Sequence, residues 1–291
     1  VPKPTKFIIV PGRPARSERL AIANRIAEEQ RFQHWELEFA DVFEENGGFD
    51  LIIGNPPWLK MTWNEQDILS ETQPLFAVKK YSAREIVDAR EKALDSMKCR
   101  RDYFAEYESV SGIQNFSNAT SNYEMLQGLQ ANLYECFLPR AIENCNADGV
   151  FAFVHPETVF NDSNAIRIRE ELYPRLRKHF RFSNALKLFA DVHPSREFGL
   201  NVFSNKITES FDNIFNVYTP TTIDESYRDE HSGAIIPIRL NGERDLRGNK
   251  SRIITIGEKE LKILCHVVDG TSQCLQCISG KSECLSESIA I

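Results

Sequence analysis

The chain has 291 residues, 35 Lys and Arg against 42 Asp and Glu for a formal net charge of −7, and 42% hydrophobic residues. This composition excludes disorder and collagen-like repeats and suits one large or two modest domains with a real core. No stretch approaches the roughly 20 apolar residues of a membrane span, and residues 7–10 are cut short by Pro and Arg, so a soluble cytoplasmic chain without a secretory signal is expected.

Leu20, Ala23, Ile26 and Ala27 fall at helical spacing and predict an amphipathic helix. Trp35, Leu37 and Phe39 alternate with Glu36 and Glu38, which predicts a strand running into a loop at Asp41. Gly47 and Gly48 make a turn. Phe49 to Gly54 is short and apolar, as in a strand buried on both faces of a parallel sheet, and it stops at Asn55-Pro56-Pro57. Residues 60–122 are polar, with a helical patch at 82–97 and a weakly patterned stretch at 111–122, and are expected as an insertion over the sheet edge.

Leu126, Leu129, Leu133 and Phe137 predict a long helix that packs on a sheet and kinks near Pro139. A buried strand follows from Gly149 to Pro156, then a helix over 164–180 and a strand over 185–189. Alternating helix and strand is the signature of a doubly wound α/β sheet. Residues 200–204 and 213–218 add an antiparallel edge hairpin. Beyond Tyr218 the pattern changes to short strands, turns and charges, so the expected organisation is a core over 1–218 and a further region over 219–291.

The segment with chemical content is Asn55-Pro56-Pro57-Trp58 at the end of an apolar strand, where α/β proteins bind ligands. Both prolines fix their own φ, neither has an N–H, and Pro56 holds Asn55 extended. Such a loop is stiff and rich in acceptors. The Asn55 side-chain oxygen and the Pro56 carbonyl can receive both hydrogens of a planar amino group while Trp58 stacks on its ring. Two acceptors pulling on those hydrogens localise the nitrogen lone pair for attack on a methyl group carried by a sulfonium.

These residues resemble the N6-adenine DNA methyltransferases of the large, type IIG-like restriction-modification kind, whose motif is N-P-P-[YFW] at the end of such a strand. The likeness extends over residues 34–205, through the block around Asp41, the strand 49–54, the helix near 133–142, the strand 149–156 and the segment 185–204. It implies a partial Rossmann-like methyltransferase sheet, S-adenosylmethionine as methyl donor, double-stranded DNA as partner and an adenine swung out of the duplex. Carried over, Asn55, Pro56 and Pro57 form the corner that holds the amine, Trp58 and Phe189 sandwich the base with Phe198 as competitor to Phe189, and Asp41 contacts the cofactor. A restriction or phage-defence setting follows, with the region after residue 218 as the start of a target-recognition domain.

One feature departs from the family. Its glycine-rich cofactor loop should precede Asp41, yet no G-x-G occurs in the chain. The first strands of the sheet are expected to be missing, which leaves a fragment of a longer enzyme, the favoured reading, a split enzyme whose partner brings the cofactor half, or a decayed copy. The competing functions are a protein glutamine methyltransferase, because a side-chain amide is also a planar nitrogen, and a non-catalytic subunit that binds DNA or a partner.

Other candidates have plainer readings. Arg167, Arg169, Arg175, Arg177, Lys178 and Arg181 can track phosphates but more simply form a solvated helix face, and Arg239, Arg244, Arg247, Lys250 and Arg252 form a second cluster in a turn-rich segment. Cys274-x2-Cys277 with Cys284 resembles half a zinc site, short of four ligands. The odd count of seven cysteines shows no disulfide framework. His34, His155 and His193 are expected in core or loop positions.

Overall fold

A computed structural model describes residues 17–72, 74–79, 81–228, 239–240, 243–244 and 246–261. It divides into two compact units, one up to Asn46 and one from Gly47 onward.

The first unit contains α1 (Ser17–Gln30), α2 (Trp35–Glu38) and α3 (Ala40–Asn46). The helix expected around Leu20 and Ile26 is present. The strand expected from Trp35 is helical instead. Trp35 and Phe39 stack with ring centroids 5.7 Å apart, the pairing that helical i, i+4 spacing brings about, and the Phe39 N–H donates to the Trp35 carbonyl at 2.9 Å. Alternation alone specifies a strand only where a partner strand lies beside it, and no described strand pairs with this segment.

The second unit is mixed α/β around an open six-stranded sheet. Its first strand, β1 (Phe49–Gly54), leads into α4 (Glu65–Thr72), α5 (Leu75–Val78), α6 (Ala83–Ala93) and α7 (Met97–Asn118). Next come α8 (Leu133–Asn144), β2 (Cys145–Pro156), α9 (Thr158–Asn161), α10 (Ile166–Leu172), β3 (Leu176–Ser183), β4 (Glu197–Ser204) and β5 (Ser210–Val217). The last described elements are α11 (Pro220–Arg228), the short hairpin β6 (Arg239–Leu240) and β7 (Glu243–Arg244), and β8 (Ile254–Gly257). The strand order is β1-β2-β4-β3-β5-β8. β1 runs parallel to β2 and β3 parallel to β5, while β4 is antiparallel to both β2 and β3, and β8 to β5. Because β8 completes this sheet, residues on both sides of position 218 contribute to it.

Several elements differ from the sequence expectation. β1 is a strand but is not buried on both faces: Leu51 and Ile53, which share one face, are 57% and 73% exposed. The stretch 111–118 is the second half of the 22-residue α7, whose start is capped by the Ser96 hydroxyl accepting from the Cys99 N–H. The long helix expected from Leu126 begins only at Leu133, after Gly128 at φ +91°, a backbone that ends helical geometry. Asn132 and Glu135 then form a capping box.

Downstream, the helix expected over 164–180 ends at Leu172, and Pro174 marks the break. The strand expected over 185–189 lies earlier, at Leu176–Ser183, where Phe180 and Phe182 alternate toward the core; residues 184–186 form a 3-10 turn. The expected edge hairpin is absent too. β4 is interior, between β2 and β3, and β5 pairs with β3. The long Ser183–Glu197 connection lets β4 cross back into the middle of the sheet.

One hydrophobic core joins Phe151, Phe153 and Phe203 of the sheet to Leu126, Tyr134, Leu138, Ile168 and Leu172. A second gathers Phe180, Phe182, Phe198, Ile214 and Val217, with Ile223 of α11 packed on it. The inserted helices have a core of their own in Leu69, Phe76, Ala93, Cys99 and Tyr103. There Glu65 accepts from Arg90 at 3.0 Å and from the Tyr103 hydroxyl at 2.7 Å. No helix among the described residues is long and apolar enough to cross a membrane.

Candidate active site

β1 ends at Gly54, and residues 55–64 leave it without regular structure. Asn55 is exposed, Pro56 is buried, Pro57 is exposed and Trp58 is half-buried. The buried Pro56 ring anchors the corner while the neighbouring amide stays open to solvent, so the two prolines restrict the backbone without hiding the Asn55 oxygen. The chain is pinned again just beyond, where the Leu133 N–H at the head of α8 donates to the Leu59 carbonyl at 2.9 Å.

The Trp58 side chain lies across the end of the neighbouring strand. Its indole Nε1–H donates to the Val154 carbonyl of β2 at 3.1 Å. Its ring meets Phe189 edge-on at 5.1 Å between centroids and 62° between planes, and Phe198 at 5.7 Å. Phe189 and Phe198 are 4.9 Å apart, and Phe198 stacks on Phe182 at 3° between planes. Of the two phenylalanines the sequence weighed, Phe198 is buried in the sheet and Phe189 is half-buried on the loop above it.

That loop depends on a residue the sequence reading passed over. Asn184 is fully buried: its Nδ2 donates to the carbonyls of Phe189 at 2.9 Å and Val192 at 2.7 Å, and its Oδ1 accepts from the Phe189 N–H at 3.0 Å. Lys187 takes a left-handed backbone, φ 55°, within the turn this creates. One amide thus sets where the Phe189 backbone sits. The available signal was a Ser-Asn pair closing an alternating strand, where an Asn side chain substitutes for backbone pairing.

Beneath the aromatic group is a buried polar network. The Tyr134 hydroxyl accepts from the Val159 N–H at 3.0 Å and lies 2.6 Å from the Thr158 hydroxyl, and its ring stacks on His155 at 5.1 Å. His155 Nδ1 pairs with the Pro156 carbonyl and Nε2 with Asn201 Nδ2. Burial pushes the His155 imidazole down to about 4, so the ring is neutral. Glu157 and His179 pair at 3.0 Å nearby. Gly199 is required here, since a Cβ would collide with Glu157 and Asn201. Burial raises the carboxyl of Glu135 and pushes the thiols of Cys136 and Cys145 up to about 11, which keeps these sulfurs protonated and unreactive.

Asp41 lies in the first turn of α3, in the first unit, and is exposed. The first basic cluster is largely committed to local structure. Arg169 donates to the carbonyls of Val159 and Asp162, Arg175 binds Glu171, Arg181 binds Glu197, and Lys178 binds Asp212 and Tyr227. Arg177, Lys178 and Arg181 lie on the strand β3 while Arg167 and Arg169 lie on α10, so these charges do not share the one helix face expected. In the second cluster Arg247 and Lys250 are exposed, while the side chains of Arg239 and Arg244 lie outside the described residues, as do Cys274, Cys277 and Cys284. Among the described residues no group of three metal-ligating side chains occurs.

The sequence model of the Eco57I restriction-modification methylase family matches residues 13–94, a span that contains Asp41 and the whole corner from Asn55 to Trp58. No curated protein matches the chain. Among solved structures, the chain is similar to the type IIG restriction endonuclease BpuSI at 14% identity and a TM-score of 0.34, over 53% of this chain and 18% of that one. It is similar to DrdV in its complex with DNA at 16% identity and a TM-score of 0.32, over 62% of this chain and 16% of that one. The ATP-dependent type ISP restriction-modification enzyme LlaBIII bound to DNA gives 11% identity and a TM-score of 0.29, over 71% and 12%. The chain therefore spans less than a fifth of each of these proteins.

Proposed function

We propose that the chain carries the amine-holding corner of a restriction-modification DNA methyltransferase that methylates adenine at N6. The observation that carries this reading is the exposed Asn55 amide on a proline-fixed corner beside a half-buried indole tied to the next strand. The match of a methylase family to residues 13–94 supports the methyltransferase part; the adenine is what the resemblance of Asn55-Pro56-Pro57-Trp58 to the N6-adenine methyltransferases implies.

In this reading the Asn55 oxygen and the Pro56 carbonyl accept the two N6 hydrogens, and the nitrogen lone pair is withdrawn from the ring as the amine pyramidalises. The base is extruded from the duplex, since a paired amine is not accessible. Trp58 supplies one face for it. Trp58 and Phe189 touch edge-on in the structure, so a base lying between them requires that contact to open. S-adenosylmethionine supplies the methyl group. Asp41 is the residue the resemblance assigns to it, and the chain has no G-x-G turn to complete a cradle.

The test is methyl transfer from labelled S-adenosylmethionine to an adenine-containing duplex by the intact protein. Asn55→Ala is expected to lower the rate at least about a hundredfold, the scale for removing one aligned polar group from a charge-developing site. Undiminished transfer would remove the corner from catalysis. Label entering protein rather than DNA would replace this function with glutamine methylation.

A further inference from the structure

The loop that carries Phe189 begins with a short, closed tip. Residues 185–188, Ala-Leu-Lys-Leu, lie between two points that Asn184 ties together: the Phe189 N–H donates to Asn184 Oδ1 at 3.0 Å, and the Lys187 N–H donates to the Asn184 carbonyl at 2.7 Å. The foot of the loop is closed once more by the Asn184 N–H, which donates to the Arg196 carbonyl at 3.0 Å. These four residues are therefore a tight turn rather than a slack loop. Lys187 holds a left-handed backbone within it, φ 55°, a conformation that costs a non-glycine residue energy.

What the turn presents to solvent is apolar. Leu186 is 46% and Leu188 42% exposed, on either side of the exposed Lys187. A single exposed leucine needs no account, but these two are held outside the core by hydrogen bonds that fix the turn, and they directly precede the Phe189 ring that meets Trp58 at 5.1 Å. The tip contains no acid; Asp191 and Arg196 are the other exposed charges of the loop. Two aliphatic side chains flanking a cation, beside a place for an extruded base, suit a base stack with a vacancy. Removal of one base leaves a gap about 3.4 Å thick, walled by the apolar faces of its neighbours and bordered by phosphates. Leucine is among the side chains that enter a duplex as wedges, and such filling offsets the cost of unstacking.

We infer that residues 186–188 are a wedge for the DNA stack: Leu186 and Leu188 fill the space the target base vacates, and Lys187 meets an adjoining phosphate. The inference rests on the proposed DNA function and deepens it. The corner receives the base outside the duplex, and the tip of the Phe189 loop occupies the gap behind it. Asn184 then serves as a positioning residue for both, since the same side chain fixes the Phe189 backbone and closes the tip.

The test is binding of the intact protein, at fixed salt, to two labelled duplexes of one sequence, the first fully paired and the second with a single abasic site. The abasic duplex already contains the gap, so the native chain should bind it at least about tenfold more tightly, the scale of burying an aliphatic side chain. Leu186→Ser combined with Leu188→Ser should bring that ratio close to one while leaving the unfolding midpoint in place, because both positions are exposed. Lys187→Asn, which keeps a residue tolerant of the left-handed backbone, should weaken both duplexes alike and lower the salt dependence by about one phosphate contact. No preference for the abasic duplex in the native chain, a preference undiminished by the double substitution, or a salt dependence unmoved by Lys187→Asn would each overturn the inference. So would a double variant that alters only self-association by light scattering, which would make the tip a contact between copies. These readouts do not involve methyl transfer. If the abasic preference is lost in the double variant but Asn55→Ala still methylates, the proposal for the corner fails and the wedge stands.

Discussion

β1 and β2 lie side by side and share one pattern, a turn glycine, an apolar run and a proline stop, yet they occupy opposite environments. In β2, Phe151 is fully buried and Phe153 nearly so, with β1 on one side and β4 on the other. In β1, Leu51 and Ile53 face solvent although they pair with Val150 and Ala152 of that same neighbour. An apolar run states what a strand needs for stability, whereas its burial depends on what lies against it. In β1 the described residues leave one long side and one face uncovered.

The largest effect should come from the interior strand. Phe151→Ala is expected to destabilise the fold by about 3–5 kcal/mol through lost burial and a residual cavity, read from urea or thermal unfolding. The same burial controls His155. Its folded pKa is lowered from 6.5 to about 4, so between those values the unfolded chain binds the proton more readily, and stability falls as pH drops through that window by roughly 3 kcal/mol in all. Unfolding midpoints at pH 7 and pH 4.5 should therefore differ more for the native chain than for His155→Gln, and an equal difference would show that His155 does not carry the effect.

Asn184→Ala should cost about 2–3 kcal/mol, since it leaves two carbonyls and an N–H without their side-chain partner, and should expose residues 185–196 to limited proteolysis. The smallest change in stability belongs to the open strand. Ile53→Thr should shift unfolding by no more than about 0.5 kcal/mol, while Ile53→Lys should reduce concentration-dependent association by light scattering, because an apolar uncovered edge invites pairing. A loss of several kcal/mol in Ile53→Thr would mean that β1 is covered after all, and the contrast with β2 would vanish.

How far the sequence could be read follows the same division. β1 and β2 were legible because each is a continuous apolar run between turn residues, and the corner at Asn55 was legible because two prolines admit few backbone shapes. The helices at Trp35 and at 111–118 were not, because short alternation and weak polarity patterns are decided by pairing partners and caps rather than by period. The β3 to β4 region was misplaced because Pro174 ends α10 early and a long loop sends β4 into the interior. Asp41 and Phe189 were named from resemblance and the corner from its prolines and acceptors; the structure adds the bonds that hold Trp58 and Phe189, which no motif encodes.

The indole hydrogen bond from Trp58 to the β2 backbone makes the two aromatic walls mechanically unequal. One wall is bolted to the sheet, and the other rides on a hinge whose pin is a single amide. In the proposed function, admission of a ring between them requires work only on the Phe189 side, so its rate should track substitutions along 184–196 more than substitutions in β2, which holds the Trp58 indole.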